Sequence, residues 1–183
     1  GDDGAIRLWT STDWSAEPVT LLNESPVTAL AFAPDSGTLA AGLGTGEIVL
    51  WNIGARAVTA RTAPGAAIRQ IAFHPDGQTF VSVGNDPVVR VWDRSGIAVQ
   101  TFSSQHTDWV RDAAFNGDGS LMVTVGADGR LILWDLAAGR SINHLEGIPG
   151  DLLQVDFSAD SSVLLVGTGD GSVLLWSVRG ESD

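Results

Sequence analysis

Five tryptophans, Trp9, Trp51, Trp92, Trp134 and Trp176, stand 42, 41, 42 and 42 residues apart. A second marker, Phe32, Phe73, Phe115 and Phe157, keeps the same period at 41, 42 and 42. Two aromatic registers sharing one period confine the chain to repeat architectures. In these, each period is a supersecondary unit that cannot bury its apolar face alone and must stack on its neighbours.

Each period carries the same parts. An alternating apolar run ends in Phe: Val27 to Phe32, Ile68 to Phe73, Val110 to Phe115 and Leu152 to Phe157. A turn follows, as at Pro75-Asp76-Gly77 or Gly117-Asp118-Gly119, where Asp and Gly adopt the required backbone conformations. A second short strand comes next, such as Thr79 to Val83 or Leu121 to Val125. A further turn leads into the Trp strand: Glu47 to Trp51, Val88 to Trp92, Arg130 to Trp134 and Ser172 to Trp176. A weaker fourth strand follows, as at Ala98 to Phe102 and Ser141 to Leu145. No segment keeps a 3.6-residue period, so an all-β chain with essentially no helix is expected. Four strands in about 40–45 residues make one propeller blade.

The segment Gln105-His106-Thr107-Asp108-Trp109-Val110, then Gly126-Ala127-Asp128-Gly129, then Leu133-Trp134-Asp135 resembles a tryptophan–aspartate (WD) repeat, and Trp92-Asp93 repeats the name-giving pair. Thr10, Asn52 and Ser177 depart from that pair. The resemblance implies an incomplete WD-repeat β-propeller: about four four-stranded antiparallel blades in an open arc, since such rings close at about seven. The expected units are a two-stranded outer half-blade (1–22), three blades (23–62, 63–103, 104–147), and a three-stranded final blade with its tail (148–183). The chain starts at Gly1 inside a hairpin turn and stops soon after a third strand. This predicts a truncated N-terminus of a longer protein, a natural C-terminus, and apolar blade faces at both ends that invite self-association.

The resemblance also implies a buried hydrogen-bonded tetrad, placed by position at His106, Thr124, Asp128 and Trp134. A buried indole N–H must find an acceptor and a buried carboxylate must be paired. Partial sets fall at Ser82, Asp86 and Trp92, with Pro64 at the His position, and at Asp170 and Trp176, with Ile148 and Val166 elsewhere. The Trp51 repeat has Asn23, Ala41 and Thr45. Those blades are expected to rely on packing, and the Trp134 blade to be the most rigid. His106, Thr124 and Asp128 mimic a hydrolase triad, but recurrence in degraded copies favours a structural role. Gly42 to Gly46 and Gly167 to Gly171 mimic dinucleotide loops, yet a strand and not a helix follows each. The Asp-Gly turns lack the Glu and spacing of a calcium loop, and His74, His106 and His144 are too dispersed for a metal cluster. Neither a metal nor any other cofactor is expected.

In the resembled family, one loop face usually docks partners. Here it carries Ser25, Gly44, Asn85, Thr107, Trp109, Ala127 and Gly169. Trp109 is either an exposed interface anchor or packed between blades, and Trp14 is similarly ambiguous. Arg69 and Arg111 hold matched places in two first strands, where they either engage an acidic partner or offset the acidic surface. The formal net charge of −12 disfavours direct nucleic-acid binding and anionic membranes. The absence of Cys excludes disulfides and fits a cytoplasmic setting. Asn23-Glu24-Ser25 is a glycosylation sequon in form only, followed by Pro26. The inner strands offer mostly Ala, Val, Ile and Leu, so a non-catalytic protein-interaction scaffold is the favoured reading. The alternative is an enzymatic or ligand-binding propeller with a site at the central channel.

Overall fold

Short alternating runs pair as antiparallel strands because one face of each can be buried while the turns stay polar. The computed structural model describes residues 1–9, 15–63, 65–103, 105–148 and 150–178, and among these every regular element is a strand. A two-stranded sheet pairs β1 (Ala5–Leu8) with β2 (Val19–Leu22). Three four-stranded meanders follow. The first runs β3 (Val27–Phe32), β4 (Thr38–Leu43), β5 (Ile48–Asn52) and β6 (Ala57–Thr62). The second runs β7 (Ile68–Phe73), β8 (Thr79–Gly84), β9 (Asp86–Asp93) and β10 (Ala98–Phe102). The third runs β11 (Val110–Phe115), β12 (Leu121–Gly126), β13 (Leu131–Asp135) and β14 (Arg140–Leu145). The last sheet has three strands, β15 (Leu152–Phe157), β16 (Val163–Thr168) and β17 (Val173–Ser177). This is an incomplete propeller of stacked meanders, with no closed ring among the described residues.

The blades stack through four apolar layers. Ile6 and Leu21 cover Leu39, Leu43 and Trp51; Leu50 and Ala40 meet Ile71, Phe80 and Trp92. Val83 and Val91 meet Val110, Met122 and Trp134; Val125 and Leu133 meet Leu152, Leu164 and Val166. Burial on both sides makes the last five residues of β4, β8 and β12 wholly buried. In β16 the pattern alternates instead, with Leu164 and Val166 buried but Leu165 48% exposed, because among the described residues this sheet has a neighbour on one face only. At the other end, β1 and β2 cover β4 and β5 but leave Leu30 and Phe32 on β3 half exposed.

Two local features position the site. In every sheet with a first strand, the pairing slips by one residue just after that strand begins, between Val27 and Ala29, Ile68 and Gln70, Val110 and Asp112, and Leu152 and Gln154. Each slip is a β-bulge, which leaves Thr28, Arg69, Arg111 and Leu153 without a partner across the ladder. The turn into the third strand is the second feature. Gly46, Gly129 and Gly171 take positive φ there, at 89°, 68° and 88°. Pro87 holds the same place in the second four-stranded blade and cannot adopt that conformation. The chain turns more tightly instead, Gly84 pairs with Asp86, and β9 starts at Asp86, earlier than the Val88 expected from the pattern.

Candidate functional site

His106 precedes β11, Thr124 lies on β12, Asp128 in the turn after it, and Trp134 on β13. His106 Nδ1 lies 3.1 Å from both oxygens of Asp128, and its Nε2 is 2.9 Å from Thr124 Oγ1. The Trp134 indole N–H donates to Thr124 Oγ1 at 2.9 Å. A carboxylate only accepts, so Nδ1 carries the imidazole proton; Nε2 then accepts the Thr124 hydroxyl, whose oxygen accepts the indole. Every donor has one acceptor only if the ring is neutral. Burial favours that state by pushing the His106 pKa below its ordinary value, against the opposing pull of Asp128. Asp128 also accepts the Thr107 and Arg130 backbone N–H groups, which fixes the turn.

The triad-like trio is sealed: Thr124 is 0% and His106 3% exposed, so no substrate reaches the hydroxyl. The other blades hold fragments of this network, and two differ from expectation. Ser82 Oγ accepts the Trp92 indole at 2.8 Å. Asp86, however, does not belong to that set, because Arg90 takes its carboxylate at 2.8 Å. Arg90 stands where the other blades carry Val49, Ile132 and Leu174. A half-buried guanidinium there needs a counter-charge, and the Pro87 turn brings Asp86 beside it. The Trp51 blade does not rely on packing alone either, since its indole donates to Asn23 Oδ1 at 3.4 Å. In the last blade Asp170 accepts from Thr168 and Ser172 within its own turn, and Val166 offers the Trp176 indole no acceptor. Pro64 and Trp14 lie outside the described residues.

On the loop face the repeat is regular. The backbone N–H groups of Gly44, Asn85, Ala127 and Gly169 donate to the carbonyls of Pro26, Ala67, Trp109 and Asp151. These equivalent bonds bring the turns and the first-strand entries of four blades onto one side. Thr107 and Gly169 are exposed there; Ser25, Asn85 and Ala127 are half-buried. Trp109 is 39% exposed. It also touches the neighbouring blade, since the guanidinium carbons of Arg69 and Arg111 lie 5.7 and 5.3 Å from its ring centroid. Trp109 is therefore both partly exposed and packed against the neighbouring blade. The two arginines gather on the indole because the bulges point them out of the ladder. Arg111 also pairs with Asp151 at 2.7 Å, and Arg69 Nε donates to Asn85 Oδ1 at 2.6 Å.

The inner strands line a cleft of about 660 Å³ that is more polar than expected, with Gln70, Asp112, Asn116, Gln154 and Asp156 among its walls. Asp112 joins two blades: it accepts the Val155 N–H at 2.9 Å and the Ala113 N–H at 2.8 Å. Burial pushes its carboxyl above the usual range, and Asp156 adds to that. Among the described residues, no three His, Asp or Glu side chains gather in a metal-holding arrangement.

Meandering blades stacked on a sealed His–Thr–Asp–Trp network define a repeat propeller protein. The family model described as WD domain, G-beta repeat matches residues 17–52, 58–93, 96–135 and 139–177, most of the chain, and the chain belongs to the WD-repeat family. Each matched repeat begins around a fourth strand and ends after the Trp strand of the next sheet, so it straddles two blades. Among similar proteins is nuclear distribution protein nudF 2 of Penicillium rubens, 29% identical over 60% of this chain and 28% of its own length. Pre-mRNA-processing factor 19 of Caenorhabditis elegans is 29% identical over 50% of this chain and 19% of its own. Polyadenylation factor subunit 2 of Candida albicans is 24% identical over 49% and 17%. The chain thus spans less than a third of the length of these relatives.

Proposed function

We propose that this chain is a non-catalytic scaffold that binds protein partners through the loop face carrying Trp109. Repeats of this family generally build interaction scaffolds and not enzymes. The observation that carries the reading is Trp109 itself, a large aromatic 39% exposed on the side that carries the equivalent turns of four blades. Exposed tryptophans flanked by arginine are favoured interface anchors. Ser25, Asn85, Thr107, Ala127 and Gly169 complete the proposed face. The sealed tetrad and the structural use of Asp112 argue against the enzymatic alternative. The net charge of −12 argues against direct nucleic-acid and anionic-membrane partners, and a cytoplasmic setting is part of the proposal. The relatives' names come from different processes, and similarity to them selects none.

The test is affinity capture with the wild-type chain and with Trp109→Ala, with stability measured in parallel. Specific partners are expected to drop out of the variant's capture, with binding weakened by about 2 kcal/mol or more and the urea midpoint nearly unchanged. A capture that does not depend on Trp109 overturns the assignment.

A further inference from the structure

All ten basic residues of the chain are arginines, against 22 acidic ones, and two of the ten lie on a single indole. Like charges repel, so this grouping on an acidic molecule needs a compensating anion. Asp151 compensates Arg111. Arg69 has no carboxylate partner among the described residues. Its Nε is fixed on Asn85, which orients the planar fork and leaves both terminal nitrogens without an acceptor there. Arg111 Nε, beside the same ring, is buried and likewise without an acceptor. An oriented guanidinium with its outer edge open matches a carboxylate, which it grips with two parallel bonds. A basic partner would meet two cations before it met the ring.

We propose that Arg69, Trp109 and Arg111 form a receptor for an acidic segment of another protein. One glutamate or aspartate seats on the outer edge of Arg69, a second competes with Asp151 for Arg111, and an apolar side chain between them lies on the exposed part of Trp109. The proposal rests on the loop-face reading above and adds the chemistry of the partner.

A random peptide display library is selected against the chain. In parallel, fluorescence anisotropy measures a short peptide with glutamates around a central leucine, the same peptide with glutamines, and a version with phosphoserines. Acidic sequences are expected to be enriched, and the glutamate peptide to bind at least about tenfold tighter than the glutamine one. Arg69→Gln should lower its affinity about tenfold, and Arg69→Lys should restore only part, since a point charge lacks the planar fork. Asp151→Asn should raise affinity about threefold by releasing Arg111, a gain that no loss of folding imitates. Selected peptides that are neutral or basic yet still need Trp109 overturn the proposal and leave the loop-face reading standing. Peptides indifferent to Trp109, or none at all, overturn both. Binding confined to the phosphoserine version, or unchanged in Arg69→Gln, refutes the carboxylate assignment.

Discussion

At the scale of residues, the tetrad makes two predictions. Trp134→Phe keeps most of the ring packing but removes the N–H that Thr124 accepts, and should cost about 1–3 kcal/mol in urea unfolding. Trp51→Phe should cost less, because the bond it loses, to Asn23, is long at 3.4 Å. Equal losses would show that the network adds nothing beyond packing. The second prediction is a pH dependence. The folded-state pKa of His106 is depressed, so the unfolded chain takes up its proton first as the pH falls. Its contribution is full above about pH 6.5 and is lost as the pH falls through the folded value. Asp112 works in the opposite sense. Its raised pKa gives a contribution present below about pH 4 and lost as the pH rises through the folded value. The His106 contribution should therefore drop the urea midpoint on going from about pH 7 to about pH 5, with Asp112 opposing it. His106→Gln should flatten that drop, while Asp112→Asn should steepen it. The tetrad residues were legible through the resemblance to a WD repeat, whereas the role of Asp112 was not, because its partner Val155 lies 43 residues further on.

At the scale of elements, strand order and turns were readable because each meander is local and its alternation has a period of two. The strand that departed furthest, β9, shows where such reading stops. Position alone puts Asp86 in the place of Asp128, but Pro87 forbids the positive φ of the glycine it replaces, and the carboxylate swings to Arg90. The signal was present in Pro87 and in a charged residue among apolar equivalents. This pair, about a fifth exposed, makes the third prediction. Asp86→Asn should cost about 1–2 kcal/mol by leaving Arg90 half-buried without its counter-charge. Adding Arg90→Val, the residue type found at Val49, should recover most of the loss, as judged by thermal unfolding of the single and double variants. A double variant as unstable as Asp86→Asn would mean that Asp86 supports the turn itself.

At the scale of the whole molecule, stacking decides which strands are apolar throughout. β4, β8 and β12 are enclosed; β16 and β17 are covered on one face, with Leu165, Val173 and Leu175 at 48%, 62% and 66% exposure. Leu22, Leu30 and Phe32 do the same at the other end, at 67%, 48% and 52%. Apolar area of this kind drives association. The weight-average mass in analytical ultracentrifugation should rise with protein concentration, and Val173→Lys with Leu175→Lys should bring it toward that of the monomer while leaving the tetrad's stability intact. A mass independent of concentration in the wild type would show these faces to be inert.

The bulge at the start of each first strand has a further consequence, for how such a molecule varies. Thr28, Arg69, Arg111 and Leu153 are one structural position with four different occupants. None has a partner across the ladder, so the residue type there is released from the demands of pairing. The neighbours on either side, such as Ile68, Ile71, Val110 and Ala113, are held by the core. Substitution at the bulge therefore alters the proposed loop face without breaking a ladder pair beneath it. Ladder pairing and the proposed recognition fall to different residues, one set written in the repeated part of each period and the other at its unpaired position.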